Sequence, residues 1–153
     1  MVRKLLGAAF VLCVLAWTCQ AADDKKSDKD NLQGTWVHIL SEQGGLKAKP
    51  LKGLMDPLLT FKGDTFTMTD HQGEKEGEGT FKLDENKKPK EIDLVVPKQD
   101  NPKETETVKG IYQLDGDTLK MATPEAGPGG PRPTSFDGKE VVVTTFKRKN
   151  NTR

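Results

Sequence analysis

Cysteine is scarce: the 153-residue chain holds two, Cys13 and Cys19, both near its N-terminus. Once that stretch is removed, no disulfide framework, cysteine nucleophile or zinc–thiolate cage is available. Histidine is as rare, with only His38 and His71, and tyrosine occurs once, as Tyr112. Long hydrophobic runs are missing apart from residues 5–17, which fall short of the ~20 residues a helical membrane span needs. Nor does one charge sign dominate, since 24 basic and 23 acidic side chains give a net +1. Both signs are interspersed, so nothing marks a nucleic-acid or anionic-membrane footprint. A phosphate-binding glycine loop, a Gly-x-Ser-x-Gly and a His-Glu-x-x-His are absent as well, which leaves no recognisable catalytic motif and no expected cofactor or metal.

What is present begins with a leader. Met1-Val2-Arg3-Lys4 is a short basic start, residues 5–17 are apolar and uncharged, and Ala21 and Ala22 are small. Together they predict a secretory signal peptide over residues 1–21 and a mature protein without a transmembrane span. Losing Arg3 and Lys4 turns the net charge from +1 to −1. A lipid anchor at Cys19 is the alternative, but Trp17 and Thr18 stand where lipoprotein signals prefer small residues. A cysteine-free exported chain fits a bacterial periplasm or cell surface, or a secreted protein, better than an animal extracellular fluid. Residues 22–31 carry no apolar side chain after Ala22, so they predict a charged, disordered tether. Residues 32–149 are long enough for one domain with one modest core, and residues 150–153 form a tail.

Within 32–149, short β-rich runs alternate with Gly, Asp, Asn and Pro. That spacing predicts an all-β fold rather than βαβ units. Eight strands are expected, at 33–41, 57–62, 65–69, 78–83, 91–96, 107–114, 118–123 and 140–148. Residues 46–56 read as a partial helical turn or an edge strand. Leu59 and Phe61, Phe66 and Met68, Phe81 and Leu83, Ile92, Leu94 and Val96, and Leu119 and Met121 each alternate with polar residues, which places each set on one face. Strands 33–41 and 140–148 are apolar on both faces, as terminal strands that pair to close a barrel would be. Gly63-Asp64 and Asp115-Gly116-Asp117 supply tight hairpins. The echo of 63–68 in 116–121 reflects two hairpins solving one turn problem rather than a duplication. Sequential hairpins with short loops predict an eight-stranded antiparallel up-and-down barrel.

Leu32-Gln33-Gly34-Thr35-Trp36, Leu59 to Asp64, Gly79 to Asp84, Lys87 to Leu94, Gly110 to Lys120 and Arg132 to Phe136 resemble, in order, a family of small exported planctomycete proteins. The resemblance covers nearly all of the mature chain. It implies an uncharacterised lipocalin-like domain in a bacterial envelope, and no reaction. A wider resemblance to lipocalins rests on Gly34 and Trp36 as the Gly-x-Trp that plugs a barrel base, with Arg148 as the basic residue stacked over the ring. Both roles are structural. The missing disulfide and C-terminal helix depart from the lipocalin pattern.

Candidate binding residues are few. His38, two positions after Trp36, is expected to share that ring's face and to line a cavity; a satisfied or surface histidine is the plainer reading. Tyr112 is either core or a polar handle in a pocket. The long loop from Pro124 to Pro133 holds Arg132 between two prolines, stiff enough to meet an anion at the barrel mouth. Phe136 follows it either as a lid or as core filling. His71 is expected to be exposed in a turn. The alternating Glu74, Glu76 and Glu78 fit a solvated strand face better than a calcium site, and Asp115 and Asp117 fit a turn. Asn150-Asn151-Thr152 matches a glycosylation acceptor of little meaning in a bacterium. The leading expectation is a monomeric, non-enzymatic barrel that binds a small apolar or amphipathic molecule. The alternative is a solid-core module that meets an envelope protein through its loops. An empty lumen above ~300 Å³ favours the first, and an interior crowded with Phe61, Phe66, Phe81, Met68 and Met121 favours the second.

Overall fold

A computed structural model of the chain describes residues 26–50 and 56–150. The expected leader, Cys13, Cys19, residues 22–25 of the expected tether, residues 51–55 and Asn151-Thr152 lie outside the described residues.

Among the described residues the first element is α1 (Asp28–Leu32), where the charge pattern predicts tether. Ser27 caps it by accepting a bond from the Asp30 N–H at 3.2 Å, and Asp28 and Asp30 put negative charge at the first turn. Such a short helix is marginal alone; its contacts with the barrel hold it. Gln33, the residue after it, donates to the Lys29 and Gly63 carbonyls at 2.9 and 3.1 Å and accepts from the Gly63 N–H at 2.7 Å. Lys29 pairs with Asp64. The expectation of disorder therefore fails at Asp28–Asn31, because tertiary bonds replace the apolar face that these residues lack.

Nine strands follow among the described residues: β1 (Gly34–Gln43), β2 (Leu46–Ala48), β3 (Leu58–Lys62), β4 (Thr65–Thr69), β5 (Lys75–Asp84), β6 (Lys90–Pro97), β7 (Thr105–Asp115), β8 (Thr118–Pro124) and β9 (Val141–Arg148). Each neighbour pair from β3 to β9 is antiparallel, and β1 pairs with both β3 and β9. All eight expected strands form, and they close a barrel. β2 is a short flap on the outer half of β1, reached through the Gly44-Gly45 turn. Its three residues are all exposed, so no alternation marks it in the sequence.

The alternation read from the sequence points inward, except that Met68, expected in the crowded interior, is exposed near the end of β4. Trp36, Leu59, Phe61, Phe66, Phe81, Ile92, Tyr112, Leu119, Met121 and Phe146 form one buried cluster with Leu32 of α1. Phe61 meets Phe81 edge-on at 4.9 Å between ring centroids, a favourable aromatic geometry. At the terminal strands, where apolar residues occupy both faces, pairing of Trp36 with Arg148 and of His38 with Phe146 fixes the register. One register shift lies between His38 and Leu40. Ile39 is the extra residue of this β-bulge, and it re-aims every later side chain of β1.

A second, smaller cluster lies on the outer wall, where Ile111, Ala122, Val141 and Val143 are covered by Phe136. The barrel thus has two ends. α1 and the hairpins at 63–64 and 116–117 crowd the base. The opposite end, the mouth, gathers the β1–β2 hairpin, the 70–74 turn and the segments that enter β3 and leave β6.

Candidate functional site

The base is built around Trp36, which is fully buried. Its indole N–H donates to the Leu32 carbonyl at 2.8 Å, so α1 and β1 are stitched together beneath the ring. The Arg148 guanidinium carbon sits 4.2 Å from the ring centroid, within cation–π range. The same guanidinium donates to the Gln33 and Asn31 carbonyls at 2.9 and 2.6 Å and to Asp117 Oδ1 at 2.9 Å. Gly34 has a φ of +110°, a backbone region that side chains oppose. A Cβ there would make only ordinary contact with Arg148 Nη1, at 3.6 Å, so the backbone conformation is what favours glycine. Gly34, Trp36 and Arg148 thus meet in one base, with Trp36 fully buried.

Tyr112 belongs to this base too. Its ring is buried among the core side chains and its hydroxyl donates to Asp28 Oδ2 at 2.8 Å, which also pairs with Lys90. Burial, and then the Asp28 carboxylate, push the phenol well above its usual range, so it remains a hydrogen-bond donor. The partner of its hydroxyl comes from the segment expected to be tether, so the hydroxyl of Tyr112 holds α1.

Arg132 and Phe136 lie outside the barrel rather than at its mouth. Arg132 Nη1 donates to the Gly110 and Ile92 carbonyls at 2.6 and 3.2 Å, and Nη2 reaches Asp93 Oδ1 at 2.6 Å. Glu91 lies 3.3 Å from Nε. The stiff Arg expected to meet a ligand anion instead meets the strand's own carboxylates and straps the 124–140 loop to β6 and β7. Phe136 covers the outer cluster, with Lys120 Nζ 5.2 Å from its ring centroid; it is neither a lid nor part of the inner core. Arg132→Ala is expected to cost about 2 kcal/mol, since it strands two carbonyls and two carboxylates that water reaches in part. Limited proteolysis should then cut first within 124–140, and unchanged stability with an intact loop would refute the strap.

Of the expected site residues, Tyr112 and Phe136 border a hollow of about 300 Å³ with Lys88 and Pro89, and His38 lies in a cleft at the mouth. A hollow of about 190 Å³ at the mouth is lined by His38, Ser41, Ala48, Lys49, Pro50, Pro57 and His71. The bulge at Ile39 makes this possible, because it turns Ser41 to the same inner side as His38. His38 Nε2 lies 2.9 Å from Ser41 Oγ, and the ring sits 5.8 Å from that of Phe146. Burial lowers the His38 pKa below its ordinary 6.5, opposed by a hydrogen bond to the Leu40 backbone and by the charge of Asp56. Its neutral form is favoured in the folded state. The resulting stability is present above pH ~6.5 and is lost as pH falls through the lower folded value. The melting temperature should therefore decline on acidification below pH ~6.5, and His38→Gln should flatten that part of the curve; an unchanged slope in the variant would remove His38 from the account.

Ser41, Lys49, Pro50 and Pro57 were not legible as site residues, because their meeting depends on the bulge and the β1–β2 flap. A larger hollow of about 450 Å³ adjoins the mouth cleft, sharing Ser41 and Ala48 with it, and others of about 390 and 300 Å³ lie beside Pro124 and beside Tyr112 and Phe136. Among the described residues, no group of three or more His, Cys, Asp or Glu could hold a metal ion, and no helix is long and apolar enough to cross a membrane. No family model matches the chain, and neither the curated proteins nor the solved structures compared with it include a match.

Proposed function

We propose that this is an exported, lipocalin-like binding module that recognises a small amphipathic molecule at the barrel mouth rather than in a deep lumen. The observation that carries the reading is the division of the interior. Phe61, Phe66, Phe81, Ile92 and Met121 fill the inner cluster, while the cleft of about 190 Å³ at His38, Ser41 and His71 stays accessible. That volume is below the ~300 Å³ at which drug-sized pockets begin, so the part of the ligand held there is small. Imidazole and hydroxyl groups beside Ala48, Pro50 and Pro57 suit a molecule with one polar end. The lipocalin-like assignment draws support from the Trp36–Arg148 stack, and the leader-like residues 1–21 support export to a bacterial envelope. The planctomycete resemblance belongs to the same proposal.

Native mass spectrometry of protein recovered from its host's envelope tests this reading. The expected result is a chain shortened by the leader that carries a small extra mass, released on denaturation. A bare mass would overturn small-molecule recognition. It would favour the second reading, a solid-core module that meets an envelope protein through its loops, which the crowded aromatic interior also supports.

A further inference from the structure

Both histidines of the chain line one cleft together with a serine. In a regular strand, residues three apart face opposite sides. His38 and Ser41 share a side only because the register shifts between His38 and Leu40, and bulges of this kind recur where a strand re-aims a functional side chain.

We propose that Ser41 is a nucleophile activated by His38, and that the mouth cleft transfers the acyl group of small esters to water. This rests on the same cleft as the recognition reading and adds a covalent step to it. The geometry supplies each part that such chemistry needs. Nucleophile and base are in contact at 2.9 Å. In the neutral tautomer protonated at Nδ1, Nε2 is free to accept the Ser41 hydroxyl proton, and the Asp56 charge favours the imidazolium that forms. Ala48, Pro50 and Pro57 give the cleft an apolar wall for a short acyl chain, and Lys49 and His71 line it as donors for a developing oxyanion.

In the first half-reaction, Ser41 Oγ bonds to the ester carbonyl carbon and its proton passes to His38 Nε2. The tetrahedral intermediate expels the alkoxide, which takes that proton and leaves as the alcohol. In the second, water gives a proton to the same nitrogen and adds to the acyl carbon. The Ser41 Oγ–acyl bond breaks, the carboxylic acid leaves, and the proton returns to Oγ. Ester and water become acid and alcohol, with no change of oxidation state.

The test uses the whole folded protein and a fluorophosphonate trap, read by intact mass and by peptide mapping. The expected result is one phosphonyl group, on the peptide that carries Ser41, with Ser27 and Ser135 unmodified and p-nitrophenyl acetate hydrolysis lost after trapping. Ser41→Ala should remove the adduct. His38→Gln should slow labelling about 100-fold or more, the scale of a general base, at a melting temperature that shows the fold is kept. The wild-type pH profile is an independent readout should that variant unfold. Asp56, Lys49, His71 and the Leu40 backbone surround the ring, and the labelling rate should rise along a single ionisation below pH 6.5, the ordinary value from which His38 is lowered. No adduct at Ser41, a rate indifferent to His38→Gln, or a rate that climbs only above pH ~8 as for unassisted alcohols would each overturn the proposal. Loss of reactivity with a retained native ligand would sink the covalent step and leave mouth recognition standing.

Discussion

Trp36→Ala is expected to destabilise the protein by ~3–5 kcal/mol, the cost of removing a fully buried aromatic side chain. For a domain of this size that corresponds to a melting temperature lower by roughly 10–20 °C. Three losses combine. The cavity opens beneath α1, the Leu32 carbonyl loses the indole donor that it accepts at 2.8 Å, and the Arg148 guanidinium loses the ring that it covers at 4.2 Å. Trp36→Phe separates these contributions in part, since it keeps a six-membered ring under Arg148 while removing the indole donor and its five-membered ring; about 1–2 kcal/mol is expected there. Thermal unfolding followed by circular dichroism reads both variants. A melting temperature that barely moves in Trp36→Ala would show that the base of the barrel is not held by this residue.

Gly79→Ala should destabilise by about 3 kcal/mol, at the upper end of overpacking costs. A Cβ at this position would fall 2.1 Å from the Val95 carbonyl oxygen and 3.0 Å from Phe66 Cε1. The first of these is backbone, so relief requires β5 and β6 to move apart in the ladder where Thr80 pairs with Val95. Gly77, two residues earlier on the same strand, is the control. Its added Cβ would meet only Met68 Cε, at 3.4 Å, the far end of a flexible side chain beside the open mouth. Gly77→Ala should be neutral or stabilise by ~0.5 kcal/mol through the unfolded chain. Chemical denaturation distinguishes the two, and equal midpoints would mean that Gly79 does not lie as close to the Val95 carbonyl as described.

The strands were legible because their faces differ. Phe66 and Met68 among threonines, and Phe81 and Leu83 beside Thr80 and Lys82, announce a half-buried strand by period alone. Gly63 and Gly116 mark the hairpins for the same local reason. What escaped the sequence depends on distant partners. Asp28 to Asn31 look like solvated chain until Tyr112, Lys90 and Asp64 receive them. The destination of Arg132 is set by carboxylates some 40 residues away, at Glu91 and Asp93, so its stiff proline flanks signal order but not direction. His38 was legible as an inward residue from its spacing to Trp36. Ser41 was not, because a single extra residue in β1 reverses the face of everything after it, and no residue type among Ile39 and Leu40 announces the bulge. The mouth cleft is therefore half visible in the sequence: its histidine can be read, and its serine cannot.

The most direct test of mouth recognition compares histidine and tryptophan ring signals by NMR in protein recovered from its host and in the same protein after its ligand is stripped by unfolding and refolding. The account predicts that the signals of His38 and His71 move together while the Trp36 indole signal stays in place. Movement of Trp36 with the two histidines unmoved would put the ligand in the barrel's depth, and would contradict an interior filled by Phe61, Phe66, Phe81 and Met121.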